Sequence, residues 1–125
     1  MAKEVIFTEK APAAVGPYIQ AARVNGTVYC SGQLGLIPES GELAKGVEAQ
    51  AHQAMKNMGA VLEAAGSDYS KVIKTTIFLA DMNDFGVVNG IYESYFGGNF
   101  PARSCVEVAK LPKGGLVEVE CIAEA

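Results

Sequence analysis

The dipeptide Asn25-Gly26 is the tightest constraint in the 125-residue chain. A two-residue hairpin needs left-handed backbone at both central positions, and Asn-Gly adopts it at least cost. The segments on either side, 18–24 and 27–33, are therefore predicted to fold back as an antiparallel pair. The second of them, Thr27-Val28-Tyr29-Cys30-Ser31-Gly32-Gln33, is rich in the β-branched and aromatic residues that strands favour. A short β-prone run, 4–8, precedes the pair. Between them, segment 11–17 carries two prolines and a glycine and reads as an irregular loop.

Segment 35–46, with Pro38, Ser40, Gly41 and Gly46, is a second loop. After it Val47, Ala51, Ala54, Met55, Met58, Val61, Leu62 and Ala65 recur at helical spacing, and Gly66 stands where a C-terminal cap belongs. Val72–Leu79 is a strand. Asp81, Asn83 and Asp84 offer caps for a second helix with Phe85, Val88, Tyr92, Tyr95 and Phe96 on one face, stopped by Gly97-Gly98. Two more strands, 104–109 and 116–124, flank Leu111-Pro112-Lys113-Gly114-Gly115, a turn by composition, and so form an expected hairpin.

The resulting order, β-β-β-α-β-α-β-β, predicts one α+β domain over residues 1–125: a two-layer sandwich with a mainly antiparallel sheet and both helices on one face. The far face of such a sheet is uncovered. Val117, Val119, Cys121 and Ala123 alternate with Leu116, Glu118, Glu120, Ile122 and Glu124. One register is apolar and the other mixes carboxylates with aliphatics, which fits either a solvated face or one partly buried by another subunit.

Composition narrows the function. The net charge is −4 and there is no basic cluster, a poor basis for the phosphate neutralisation that dominates nucleic-acid affinity. Cys30, Cys105 and Cys121 are odd in number and far apart in sequence, with no CxxC spacing, so reduced thiols are expected rather than a disulfide or zinc site. The opening Met1–Phe7 stretch turns polar too soon for a signal peptide, and no apolar run reaches the roughly 20 residues that span a bilayer. The expectation is a cytoplasmic protein with no membrane contact. His52 is the single histidine and lies off the apolar stripe, so it reads as solvated and no paired-histidine chemistry can be built. No GxGxxG or Walker spacing occurs, and nothing calls for a metal or an organic cofactor.

Period-two geometry puts Arg103, Cys105 and Glu107 on one strand face, with Glu118 and Glu120 expected on the next strand of the hairpin. A guanidinium grips a carboxylate in fixed bidentate geometry, and a carboxylate can orient or deprotonate water. An ordinary cross-strand Arg–Glu pair beside a buried cysteine accounts for the same pattern.

Asn99-Phe100-Pro101-Ala102-Arg103-Ser104-Cys105 brings a resemblance into view. Together with Ala11-Pro12-Ala13-Ala14-Val15-Gly16-Pro17-Tyr18, Ser31-Gly32-Gln33, Ala64-Ala65-Gly66, Val72-Ile73-Lys74-Thr75-Thr76, Asp81-Met82-Asn83-Asp84-Phe85, Val88-Asn89 and Leu111-Pro112-Lys113, it resembles the RidA family, also called YjgF or L-PSP. Each segment is weak alone; all eight in order across the chain are specific. The resemblance implies a chorismate-mutase-like fold, a homotrimer with clefts between subunits, and hydrolysis of reactive 2-enamine and 2-imine acids without a cofactor. The substrates it implies are 2-aminoacrylate, 2-iminopropionate and 2-iminobutanoate, released by pyridoxal-phosphate dehydratases, and the products are 2-keto acids and ammonia. By the same resemblance Arg103 binds the substrate carboxylate, Glu118 positions and activates water, and Cys105 lines the cleft. Tyr18, Ser31, Gly32 and Asn89 shape it and hold ligand, some from the adjacent chain. Other roles attached to the family or compatible with the residues are a non-catalytic trimer that binds small acids, an endoribonuclease or translation inhibitor, and a chaperone-like interaction protein.

Overall fold

The computed structural model describes residues 2–125, so that of the opening segment only Met1 lies outside it. The elements run β1 (Glu4–Ile6), β2 (Ala21–Val24), β3 (Thr27–Leu34), α1 (Val47–Ala64), β4 (Val72–Leu79), α2 (Phe85–Ser94), β5 (Ala102–Glu107) and β6 (Val117–Glu124). The element order is the expected one. Asn25 and Gly26 both take positive φ, 51° and 76°, and join β2 to β3 with Val24 opposite Thr27. The ladder of β2 starts only at Ala21; residues 18–20 lie outside it, held instead by Ser31, whose N–H and hydroxyl donate to the carbonyls of Gln20 and Ile19.

One six-stranded sheet results, in the order β1-β2-β3-β6-β4-β5. The expected hairpin of the last two strands does not form. β6 inserts antiparallel between β3 and β4, while β5 pairs parallel with the far side of β4, Thr75 opposite Arg103 and Ile77 opposite Cys105. A parallel pair needs a crossover connection, and α2 supplies it. The 108–116 connector is then free to carry the chain back across the sheet, anchored by Val108 donating to Leu79 and by Ala80 donating to Leu116.

Both helices cover one face. Met55, Met58, Val61 and Leu62 of α1, with Val88 and Tyr92 of α2, pack on Val28, Ile77, Leu79, Val117, Val119 and Ala123, all buried. Ser67 N–H donates to the Leu62 carbonyl beyond Gly66, closing the helix end in the manner of a Schellman motif. Of the capping aspartates, Asp81 accepts from the Asn83 N–H, whereas Asp84 makes no side-chain cap. Cys30 and Cys121, distant in sequence, are register partners in the core as free thiols, with the Cys121 thiol 3.3 Å from the Met58 sulfur. His52 is exposed as expected, 3.1 Å from the Tyr95 hydroxyl. Among the described residues no helix is long and apolar enough to cross a membrane.

Three buried amides tie loops to this frame. Gln20 accepts from the Thr8 N–H and donates to the Thr8 and Pro12 carbonyls, Gln50 donates to Ala44 and accepts from the Leu116 N–H, and Asn57 donates to the carbonyls of Leu34 and Leu36. Buried polar groups are retained where every capacity is matched in this way. Gln20 and Gln50 fix the loops that wall the site.

Candidate functional site: two half-sites on opposite faces

The register decides where each candidate residue points. Arg103 stands opposite Thr75, whose side chain is buried on the helix-covered face; Glu118 stands opposite Phe78, an odd number of residues further along β4. Side chains alternate faces along a strand, so Arg103 and Glu118 project from opposite sides of the sheet. The expected cluster of Arg103 and Cys105 with Glu118 and Glu120 on an adjoining strand is therefore not present within one chain. Glu107 also leaves the cluster, its carboxylate accepting from the Met82 N–H at 2.7 Å.

Arg103 lies at the sheet edge, where β5 meets α2. Its Nη1 donates to Asn89 Oδ1 at 2.5 Å, and its guanidinium carbon is 5.2 Å from the ring centre of Tyr92 and 5.4 Å from that of Phe85. The cavity beside it, about 380 Å³, is lined by Asn89, Tyr92, Glu93, Phe100, Pro101 and Arg103. Among the described residues the only salt bridge joins Arg23 to Glu4, so the structural Arg–Glu pair that the sequence also allowed is absent. The guanidinium is an exposed cation with donors to spare. Cys105 lines neither this cavity nor the next and packs against the core. Burial pushes its thiol up, with the Arg103 charge pulling the other way, so it is held protonated and is a poor nucleophile.

Glu118 belongs to a larger cavity of about 730 Å³ on the open face, which Tyr18, Ser31, Gly32, Lys113 and Glu120 also line. The glutamate lies over Gly32: a β-carbon there would sit 2.6 Å from Glu118 Oε2 and 2.8 Å from its carboxyl carbon. The β3 ladder is irregular between Cys30 and Gln33, which brings this glycine under the carboxylate. Burial, and then the charge of Glu120, raises the Glu118 carboxyl above the ordinary glutamate range. Among the described residues no group hydrogen-bonds it. Lys113 reaches the cavity from a backbone at φ 59°, in the left-handed region that a lysine seldom occupies.

Tyr18, Ser31, Gly32 and Glu118 are thus brought together, and Arg103 and Asn89 are brought together, but the two groups are not brought to each other. Sequence reasoning missed Tyr92 and Phe85 as neighbours of Arg103. The i, i+4, i+7 spacing of Phe85, Asn89 and Tyr92 was the available signal. Among the described residues no group of histidines, cysteines and carboxylates could hold a metal ion.

The family model described as Endoribonuclease L-PSP matches residues 8–125. A mouse protein named 2-iminobutanoate/2-iminopropanoate deaminase is 57% identical over 97% of this chain and 90% of its own length. Among solved structures, RidA from the Antarctic bacterium Psychrobacter superposes with a TM-score of 0.95 at 48% identity, covering 98% of this chain and 99% of that one. Escherichia coli TdcF with bound serine superposes at 0.94 and 40% identity, covering 98% and 99%.

Proposed function

The chain belongs to the endoribonuclease L-PSP family, and from that premise we propose that it is an enzyme hydrolysing 2-iminobutanoate, 2-iminopropanoate and their enamine tautomers to 2-keto acids and ammonia, in a site that two chains build together. The deaminase activity is that of relatives matching nearly the whole chain. The observation that carries the shared site is the opposed placement of Arg103 and Glu118. A cation without a carboxylate partner faces one way and a carboxylate without a hydrogen-bond partner faces the other. A second copy that lays its β5 edge against the open sheet face unites them. A closed ring of three copies satisfies such a heterologous contact, which supports the homotrimer and the chorismate-mutase-like arrangement of sheets around an axis.

In that site Arg103, steadied by Asn89, grips the substrate carboxylate, an ion of the size and kind that serine presents in the E. coli relative. Tyr18, Ser31 and Gly32 wall the other side, and Cys105 lies behind Arg103 as packing. Glu118 holds a water and takes one of its protons as the oxygen bonds to the imine carbon. The carbinolamine nitrogen then receives that proton, the C–N bond breaks, and ammonia leaves as the Glu118 carboxylate takes the hydroxyl proton and the oxygen becomes that of the ketone. A carboxyl raised above its usual range is a stronger base than an ordinary glutamate, which suits it to take the proton from the attacking water. A protonated imine is already electrophilic, so positioning and water delivery suffice and no cofactor is invoked. Substrates of this class arise where pyridoxal-phosphate dehydratases eliminate water from serine or threonine, which places the enzyme beside them in the cytoplasm.

Mixing tests the shared site. Arg103→Ala and Glu118→Ala chains, each inactive alone, are unfolded together, refolded and assayed with dehydratase-generated imine. Random assembly places an intact arginine against an intact glutamate in about a quarter of the interfaces, so about a quarter of wild-type activity is expected. A site contained in one chain gives none.

A further inference from the structure

We infer that Tyr92 and Phe85 are positioning residues for the carboxylate anchor: two rings of α2 that hold the Arg103 guanidinium in place before any acid arrives. The inference rests on the reading of Arg103 given above. Both ring centres, at 5.2 and 5.4 Å, lie inside the roughly 6 Å over which an aromatic face attracts a cation. Phe85, Asn89 and Tyr92 follow one another at i, i+4 and i+7, so a single stripe of α2 presents ring, amide and ring to the same guanidinium.

The support is itself braced. Tyr92 is 4% exposed, and its hydroxyl lies 2.6 Å from Oγ1 of Thr75, which is 2% exposed. Thr75 is the β4 register partner of Arg103, so strand, helix and strand close a loop of contacts around the anchor. Burial raises the Tyr92 phenol above its ordinary range, the Thr75 bond and the Arg103 charge opposing; it stays neutral and offers a ring rather than a competing anion. An exposed arginine would otherwise sample many rotamers and lose that freedom on binding. Rings and amide remove the loss in advance and leave the remaining N–H groups for the ligand.

Because the anchor grips the carboxylate alike in ground state and transition state, its loosening should appear in KM rather than kcat. The test pairs steady-state assays with calorimetric titration of 2-oxobutanoate, a keto-acid product. Phe85→Leu is expected to raise both KM and Kd roughly tenfold with kcat within about twofold, and Phe85→Tyr to restore them. Tyr92→Leu should do the same at temperatures where its melting curve shows the protein fully folded, so that loss of the folded state cannot raise KM and Kd. Wild-type KM and Kd in Phe85→Leu, or a fall in kcat and melting temperature with KM unmoved, overturns the inference. Arg103→Ala is the control: if it too leaves 2-oxobutanoate binding intact, the anchor reading falls with it, whereas lost binding there beside an unaffected Phe85→Leu rejects the positioning role alone.

Discussion

The two half-sites are prepared by opposite physical means. At the sheet edge Arg103 is exposed, and its geometry comes from outside the strand, from an amide and two rings on α2. In the middle of the open face Glu118 is half-buried, and its place comes from a gap: the missing side chain of Gly32 and an irregularity in β3. The cation stands open to water. The carboxyl is raised by its partial burial and by having Glu120 beside it. The proposed roles ask for that difference: an anchor has to be charged and fixed, while a group that moves protons has to be on the margin of ionisation.

The largest expected effect bears on the carboxylate half. Glu118→Gln should lower kcat about a thousandfold, the middle of the range for a lost general acid–base. It should nevertheless melt higher than the parent at pH 7. The folded carboxyl sits above the ordinary value of 4.5, so its contribution to stability is fully present below that value and is lost as pH rises through the folded pKa. A neutral amide escapes that loss, and melting curves from pH 7 down to 4.5 should converge. A lower melting temperature at pH 7 breaks the contrast between a comfortable cation and a strained acid.

On the other half, Arg103→Ala should cost about a hundredfold or more in kcat/KM, the scale of a charged hydrogen-bonded pair losing one member, with the melting temperature almost unchanged because the residue is exposed. A smaller effect sharpens what the gap at Gly32 does. Gly32→Ala meets only the end of the Glu118 side chain and should displace it, lowering kcat about tenfold while the fold persists. Gly35→Ala is the counterpart: its β-carbon would lie 2.5 Å from the Gln50 carbonyl oxygen of α1, where backbone cannot give way, so about 1–3 kcal/mol of stability should be lost. Chemical denaturation and kcat for the pair separate a gap kept for a catalytic side chain from one kept for packing.

Much of the fold was legible because it is written in local pattern. The 3.6-residue stripe from Val47, the Asn25-Gly26 turn and the alternation of Val117 to Ala123 each describe neighbours in sequence, and all three stand in the structure. The glycine-rich turn after Leu111 misled for the same reason. Local composition marks a reversal at Pro112–Gly114 but does not say which strands lie on either side of it. The buried amides Gln20, Gln50 and Asn57 carried no signal either, since the loops they hold are close to them only after folding.

The sequence by itself determined the α+β class, the order of its elements, the apolar face of each and the resemblance to the RidA family. Tertiary structure alone decided that β6 lies between β3 and β4, and hence that Arg103 and Glu118 face away from each other. The physical reason is that periodicity fixes a side chain's face relative to its own strand, whereas strand partners are chosen by the burial and hydrogen bonding of the whole sheet, which no local window contains.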